Sequence, residues 1–278
     1  MKKLLLALII LFNNIQIFCS NQKTQESIDN RLIKKANHAI KHGTAFIKLQ
    51  KMVKNIRSNT IFNQLSTLRN LYPDLFLQLI NKEDIDGYTF LTQAIKNKNI
   101  LGVQLLIALG ADVNQEDKNG NSALHDAAIF NFNEAISVLV GAGATIDLPN
   151  KSGQTPLHIA SYGEEDNEII KTLITIGAKI NLQDELGNTP LHYVVANINH
   201  MTKSSDENMV AFLIAHNADE TIKNKRGCTV KERTFPRIKT IIDHAVRERN
   251  KKNLAATKIQ ALTRGFLARK NLKNEIEK

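Results

Sequence analysis

A chain of 278 residues that is 42% hydrophobic is long enough to bury a sizeable core, as one large domain or two modest ones. Aromatics are scarce at 5% and tryptophan is absent, which weighs against a compact α/β enzyme. The net charge of +10 is unevenly spread: residues 21–57 carry nine basic and two acidic groups, 58–246 sixteen and twenty-two, and 247–273 nine and one. A mildly acidic middle therefore lies between two basic flanks able to meet an acidic protein, an anionic membrane or nucleic acid.

The chain opens with a positive "MKK", an apolar run of nine residues at 4–12, and the more polar "NNIQIFCS". This is the pattern of a secretory leader over residues 1–20, and the run is too short to span a membrane. The expectation is export to a secreted or periplasmic location; a buried first helix is the competing reading. The two cysteines are Cys19 and Cys228. Loss of the leader would leave one thiol, so the fold would rest on packing alone. Residues 24–57 predict a basic amphipathic helix bent near Gly43, with Ile28, Leu32, Ile40, Ile47 and Val53 approximating one face. Residues 59–81 predict two shorter helices parted near Pro73. The whole of 21–83 reads as a basic helical cap on the segment that starts at residue 84.

From residue 84 the sequence repeats itself. Glycines at 87, 120, 153, 187 and 227 are spaced by 33, 33, 34 and 40 residues. The first four are followed by "YTFL", "NSALH", "QTPLH" and "NTPLH", and some twenty residues later by "LGAD", "AGAT", "IGAK" and "HNAD". Two unrelated motifs keeping one period mark a repeat array. Within a unit, Thr155 and Thr189 suit the N-cap, and Pro156 and Pro190 fall on the first helical position, where no N–H is needed. Leu157, Ile159 and Ala160 begin a short helix. "NEIIKTLITIG" makes a second, with Ile169, Ile170, Leu173 and Ile174 on one face and Gly177 at its end. An extended link with a turn at 184–187 leads to the next unit. One unit cannot bury its apolar face alone; stacked neighbours can. The fourth unit is longer by about seven residues, and the excess is expected near 197–208, in a loop between its helices.

The tetrapeptide "TPLH" stands intact at 155–158 and 189–192, altered to "SALH" at 122–125 and "TFLT" at 89–92, and lost in "TVKE" at 229–232. On these residues the stretch 84–246 resembles the ankyrin repeat family. The resemblance implies an all-α fold: a solenoid of helix–turn–helix units with β-turn links, four units plus a degenerate terminal one, flanked by helical extensions at both ends. It also implies that the stack binds a protein target through its inner helices and turn tips, around Asn119, Lys151, Glu185 and Lys225.

His125, His158 and His192 share one register, once per unit. Structural groups repeat and catalytic ones have no reason to. Packed helices lie ~8–10 Å apart, whereas zinc needs nitrogens at ~2 Å from one metal, so the expected role is a local hydrogen bond to the helix start. The phosphate-loop, C-x-x-C and H-E-x-x-H patterns are absent from the sequence. Glu164, Glu165, Asp166 and Glu168 cluster without a spaced partner. The expectation is a chain without catalysis, metal or cofactor.

Residues 247–278 are expected to form a basic C-terminal helix. "IQALTRGFLAR" fits I-Q-x-x-x-R-G-x-x-x-R at Ile259, Gln260, Arg264, Gly265 and Arg269, and Ile259, Leu262 and Phe266 form an apolar stripe. The stretch resembles the IQ motif, a short helix gripped by calmodulin and related EF-hand light chains. The resemblance implies that Ile259 and Gln260 engage one lobe and Arg264 and Gly265 the other, often without calcium. An acidic EF-hand groove would take the apolar stripe while basic residues meet its rim. Gly265 costs ~1 kcal/mol of helix stability relative to Ala and would allow close approach of the partner backbone. Either a partner covers this stripe or the last repeat does. An exported chain with a calmodulin-like partner fits a bacterial protein acting on a eukaryotic host. The rival function is a charge-driven binder of nucleic acid or anionic membrane through the basic flanks, although only Phe46 and Phe266 are interleaved there for base stacking.

Overall fold

The computed structural model describes residues 69–70, 76–77, 80–84, 87–163, 168–200, 204–232 and 234–276, with the side chains of 199–207, 261–263 and 265–276 outside that description. The expected leader at 1–20, the basic helix at 24–57, most of 59–81 and the cluster of Glu164, Glu165 and Asp166 lie outside the described residues. From residue 90 the helices are α1 (Phe90–Lys96), α2 (Ile100–Ala108), α3 (Ala123–Ile129), α4 (Asn133–Gly141), α5 (Pro156–Tyr162), α6 (Glu168–Thr175), α7 (Pro190–His200), α8 (Ser204–Ala215) and α9 (Pro236–Ile276). Among the described residues there is no β-strand. Two compact units divide the chain, Met1–Lys151 and Ser152–Lys278.

In the first unit, "TFLT" still caps its helix. The Thr92 N–H donates to Thr89 Oγ1 at 3.2 Å and the Thr89 N–H to Thr92 Oγ1 at 2.9 Å, so two N–H groups without helical partners are satisfied reciprocally. Helix α1 packs on α2 and α3, α3 on α4, and α2 on α4. Leu91, Ile95, Leu106, Leu124, Ile136 and Leu139 fill the space between them and are almost wholly buried. Phe76 and Ile80 are buried too, and Arg69 Nη1 donates to the Ala108 carbonyl at the end of α2, at 2.8 Å. Asn81 Oδ1 accepts the Asp112 N–H at 2.9 Å, as Asn114 Oδ1 accepts the Thr145 N–H at 2.8 Å one period later. The repeat register thus reaches back to Asn81, before the glycine at 87 from which the period is counted.

In the second unit, Thr155 is the N-cap of α5 and Pro156 its first residue. Leu157 and Leu191 are 1% exposed each, as the repeat pattern requires. Helix α6 buries Ile169, Ile170 and Leu173, with Ile174 half-buried. The long fourth unit differs from the expected extended loop. Its helices α7 and α8 run to 11 and 12 residues, against 7 and 8 for α5 and α6. Neither "NINH" nor "SSDEN" holds a glycine or proline, so each helix continues past its packed turns at little cost. In "TVKE", the Thr229 N–H donates to Glu232 Oε2 at 2.7 Å, half of a capping box, but residues 230–232 form a turn rather than a helix. Pro236 disfavours helical geometry at Phe235 and itself starts α9. Composition changes at 246/247, but α9 passes through that point without a break.

Candidate protein-binding surfaces

All four expected turn-tip residues, Asn119, Lys151, Glu185 and Lys225, are exposed. The tips at Asn119, Glu185 and Lys225 are each built on one acidic or amide side chain, Asp117, Asp184 and Asn224. Asp117 Oδ1 accepts the N–H groups of Asn119 and Asn121 at 2.8 and 2.7 Å, and Asp184 Oδ1 those of Leu186 and Asn188 at 2.9 and 2.8 Å. Backbone bonds then join neighbouring tips. The Lys151 N–H donates to the Asn119 carbonyl at 2.9 Å in the first unit; in the second, the Glu185 N–H donates to the Ser152 carbonyl at 3.0 Å and the Lys225 N–H to that of Leu186 at 2.9 Å. This approach explains the periodic glycine. At Gly187 (φ +76°) a Cβ would stand 2.7 Å from the Lys225 nitrogen, so both conformation and space demand glycine. The structure brings Asn119 and Lys151 together, and Lys151 Nζ turns back to the Lys118 carbonyl at 2.7 Å.

The histidines do more than start a helix. The N–H groups of Ser122, Thr155 and Thr189 donate to Nδ1 of His125, His158 and His192 at 3.0, 3.1 and 3.1 Å. Nε2 of His158 then lies 3.1 Å from the Asn188 carbonyl and Nε2 of His192 3.4 Å from that of Cys228. With Nδ1 accepting, Nε2 carries the proton, so each of these two imidazoles ties its helix to the next tip as a neutral ring. Burial lowers the pKa of His158 and His192, against the raising effects of those carbonyls and of Asp184. The bond to the following unit was not legible from "TPLH" alone.

In two of the repeats a second register links the tip to its inner helix nine residues on. Gln93 Nε2 donates to Asp84 Oδ2 at 2.6 Å, and the Tyr193 hydroxyl to Asp184 Oδ2 at 2.5 Å. In the second repeat, Asp117 stands at the same spacing from another carboxyl, Asp126, which is 3% exposed; in the third, the two positions are Asn150 and Ile159 and the link is lost. Burial first, then the Asp117 charge, push the Asp126 pKa up to about 7, with Lys96 opposing. Protonation of Asp126 removes one of two like charges held near each other in a buried setting. The signal in the sequence was an acid at both ends of a nine-residue spacing.

The tail begins as a packed helix. Ile238, Ile242 and Ala245 of α9 are buried, and α9 packs on α8. Arg249 closes this contact, donating from Nη1 to the Ala218 carbonyl at 2.9 Å and from Nη2 to Glu220 Oε2 at 3.1 Å. Beyond it, residues 251–260 are exposed throughout, with Leu254 at 58% and Ile259 at 64%. Gln260 and Arg264 are exposed as well. Leu262, Gly265, Phe266 and Arg269 stand on the same helix, their side chains outside the description.

Among the described residues, no group of His, Cys, Asp and Glu could hold a metal ion, and no helix is long and apolar enough to cross a membrane. A search of the curated proteins gives no match. The family model of the IQ calmodulin-binding motif matches residues 253–273, a stretch of α9 that begins with the exposed residues 253–260. The two kinds of element together are consistent with a protein–protein and calmodulin-binding scaffold. The family model of ankyrin repeats matches at 61–150, 133–224 and 157–254, well over half of the chain, which therefore belongs to the ankyrin repeat family.

Proposed function

We propose that the protein is a non-catalytic scaffold that holds a calmodulin-like EF-hand protein on α9 and a second protein on its repeats. The carrying observation is the change along α9: a base clamped by Ile242 and Arg249, then ten exposed residues at 251–260 that include Leu254 and Ile259. A helix held at one end and open beyond it is already ordered for an EF-hand groove, so binding carries a smaller ordering cost. Ile259, Leu262 and Phe266 would enter the groove; Gln260, Arg264 and Arg269 would meet its polar rim, and Gly265 would admit the partner backbone. In this reading the turns around Asn119, Lys151, Glu185 and Lys225 are the β-turn links that present the stack to its target, with helical extensions on both sides. The leader-like residues 1–20 support export, and an exported chain would meet a calmodulin-like partner in a eukaryotic host. Calorimetry of the full chain with calmodulin, at low and high calcium, tests the tail. Binding that survives high salt in part is expected; a complex abolished by salt would show a contact made by charge alone, without the apolar groove, and no heat in either condition would also overturn the reading.

A further inference from the structure

The repeat array of the second unit ends in an incomplete step. Helix α5 is covered by the following inner helix α7, but among the described residues no inner helix comes after α7 to cover it in turn. Residues 229–232 make one capped turn before α9 begins at Pro236. Beside α7 this leaves a recess of about 280 Å³. Val195, Ala196 and Val230 supply apolar lining, and Lys225 and Arg226 supply charge. No carboxylate is among the described lining residues. Both cations are exposed, and neither side chain takes part in an ion pair among the described residues.

We propose that this recess takes an acidic peptide segment of a partner protein, with an aliphatic side chain against Val195, Ala196 and Val230 and a neighbouring carboxylate at Lys225 and Arg226. The proposal rests on the reading of the repeats as a protein-binding surface and names the chemistry of what they hold. The volume, at the lower edge of the range for small-ligand sites, has room for one or two side chains. Charge complementarity decides the sign, and the guanidinium of Arg226 can hold a carboxylate with two parallel bonds. Exposed ion pairs each contribute little, so charge alone would give weak, unselective binding. The apolar insertion is what makes the site a recess for a peptide rather than a patch for any polyanion.

The test uses the full chain and two fluorescein-labelled hexapeptides, Gly-Asp-Leu-Val-Glu-Gly and its amide analogue Gly-Asn-Leu-Val-Gln-Gly, followed by anisotropy. The acidic peptide should bind about tenfold more tightly than the amide one. Charge reversal of both cations, Lys225→Glu with Arg226→Glu, should remove that preference. Ala196→Trp, which fills the recess from an exposed position, should weaken the acidic peptide about fivefold or more, and the milder Ala196→Leu should do so in part if the tryptophan lowers the melting temperature. Equal affinity for the two peptides would overturn the proposal. Binding that both Ala196 variants leave unchanged, or that a single-stranded oligonucleotide matches with the same sensitivity to charge reversal, would overturn it too, reducing the site to a charged patch. Calmodulin is titrated in parallel: no acidic-peptide binding by a chain that still binds calmodulin would overturn the recess and leave the tail reading standing.

Discussion

The inner helices and the tail use similar apolar spacing to different ends. In α5 and α7 it places Leu157 and Leu191 at 1% exposure; in α9 it places Ile242 at 0% and then, seventeen residues on, Ile259 at 64%. The helix does not change between those two isoleucines. What changes is the neighbour: α8 lies against the first part of α9, and Arg249 marks the end of that contact. An apolar stripe states that a face can be covered and leaves open what covers it. Substitutions in the repeats should therefore cost stability, whereas substitutions in the distal tail should cost binding.

The largest expected effect is in the repeats. Leu157→Ala should destabilise by ~2–5 kcal/mol, the cost of deleting a fully buried side chain whose site collapses only partly; urea denaturation checks it. A midpoint equal to wild type would remove the distinction between the regions.

Asp126→Asn should act in the opposite direction. A carboxyl whose pKa rises from 3.8 to about 7 on folding binds more protons in the folded state than in the unfolded one. Its contribution is fully present below about pH 4 and is lost as pH rises to about 7, by up to roughly 4 kcal/mol. The amide is uncharged at every pH and so removes both the buried charge and its repulsion from Asp117. At neutral pH the variant should melt higher than wild type, and its stability should vary less between about pH 5 and pH 7.5. An unchanged pH profile would mean that Asp126 stays ionised against Asp117.

His158→Gln should cost about 1–2 kcal/mol, through the bonds to Thr155 and Asn188. Here the linkage has the reverse sign. The folded pKa is depressed by burial, so the neutral ring's contribution is complete above about pH 6.5 and declines as pH falls towards the folded value. Thermal melts from about pH 7.5 down to about pH 5 should show a smaller acid loss in the variant.

The smallest stability effect belongs to the tail. Ile259→Asp should leave unfolding within about 0.5 kcal/mol of wild type, as exposed substitutions do, and should abolish calmodulin binding in calorimetry by placing a carboxylate in an apolar groove. A clear loss of stability would show that the distal helix is held by its own chain and would erase the contrast.

The repeat was legible because its signals are local. A cap, a first-position proline, a helix-ending glycine and a buried leucine each act within a few residues, and together they recur with one period. "TFLT" and "TVKE" looked degraded by comparison with "TPLH", yet Thr92 and Glu232 perform the capping bond that His158 performs. The bond needs an acceptor three residues after the cap, and more than one side chain supplies it. The lengthened fourth unit misled because length alone does not say whether added residues join a loop or prolong two helices.

The amino-acid sequence by itself determined the period, the helix starts, the buried leucines and the IQ pattern on a basic helix, because these depend on spacing along one chain. Tertiary structure decided the rest. It turned His158 Nε2 onto a carbonyl thirty residues away, set Asp126 where burial raises its pKa, opened the recess where an inner helix fails to form, and stopped the packing of α9 at Arg249. Each of these depends on which neighbour excludes water from a given side chain, and that is a property of the packed units rather than of any single stretch.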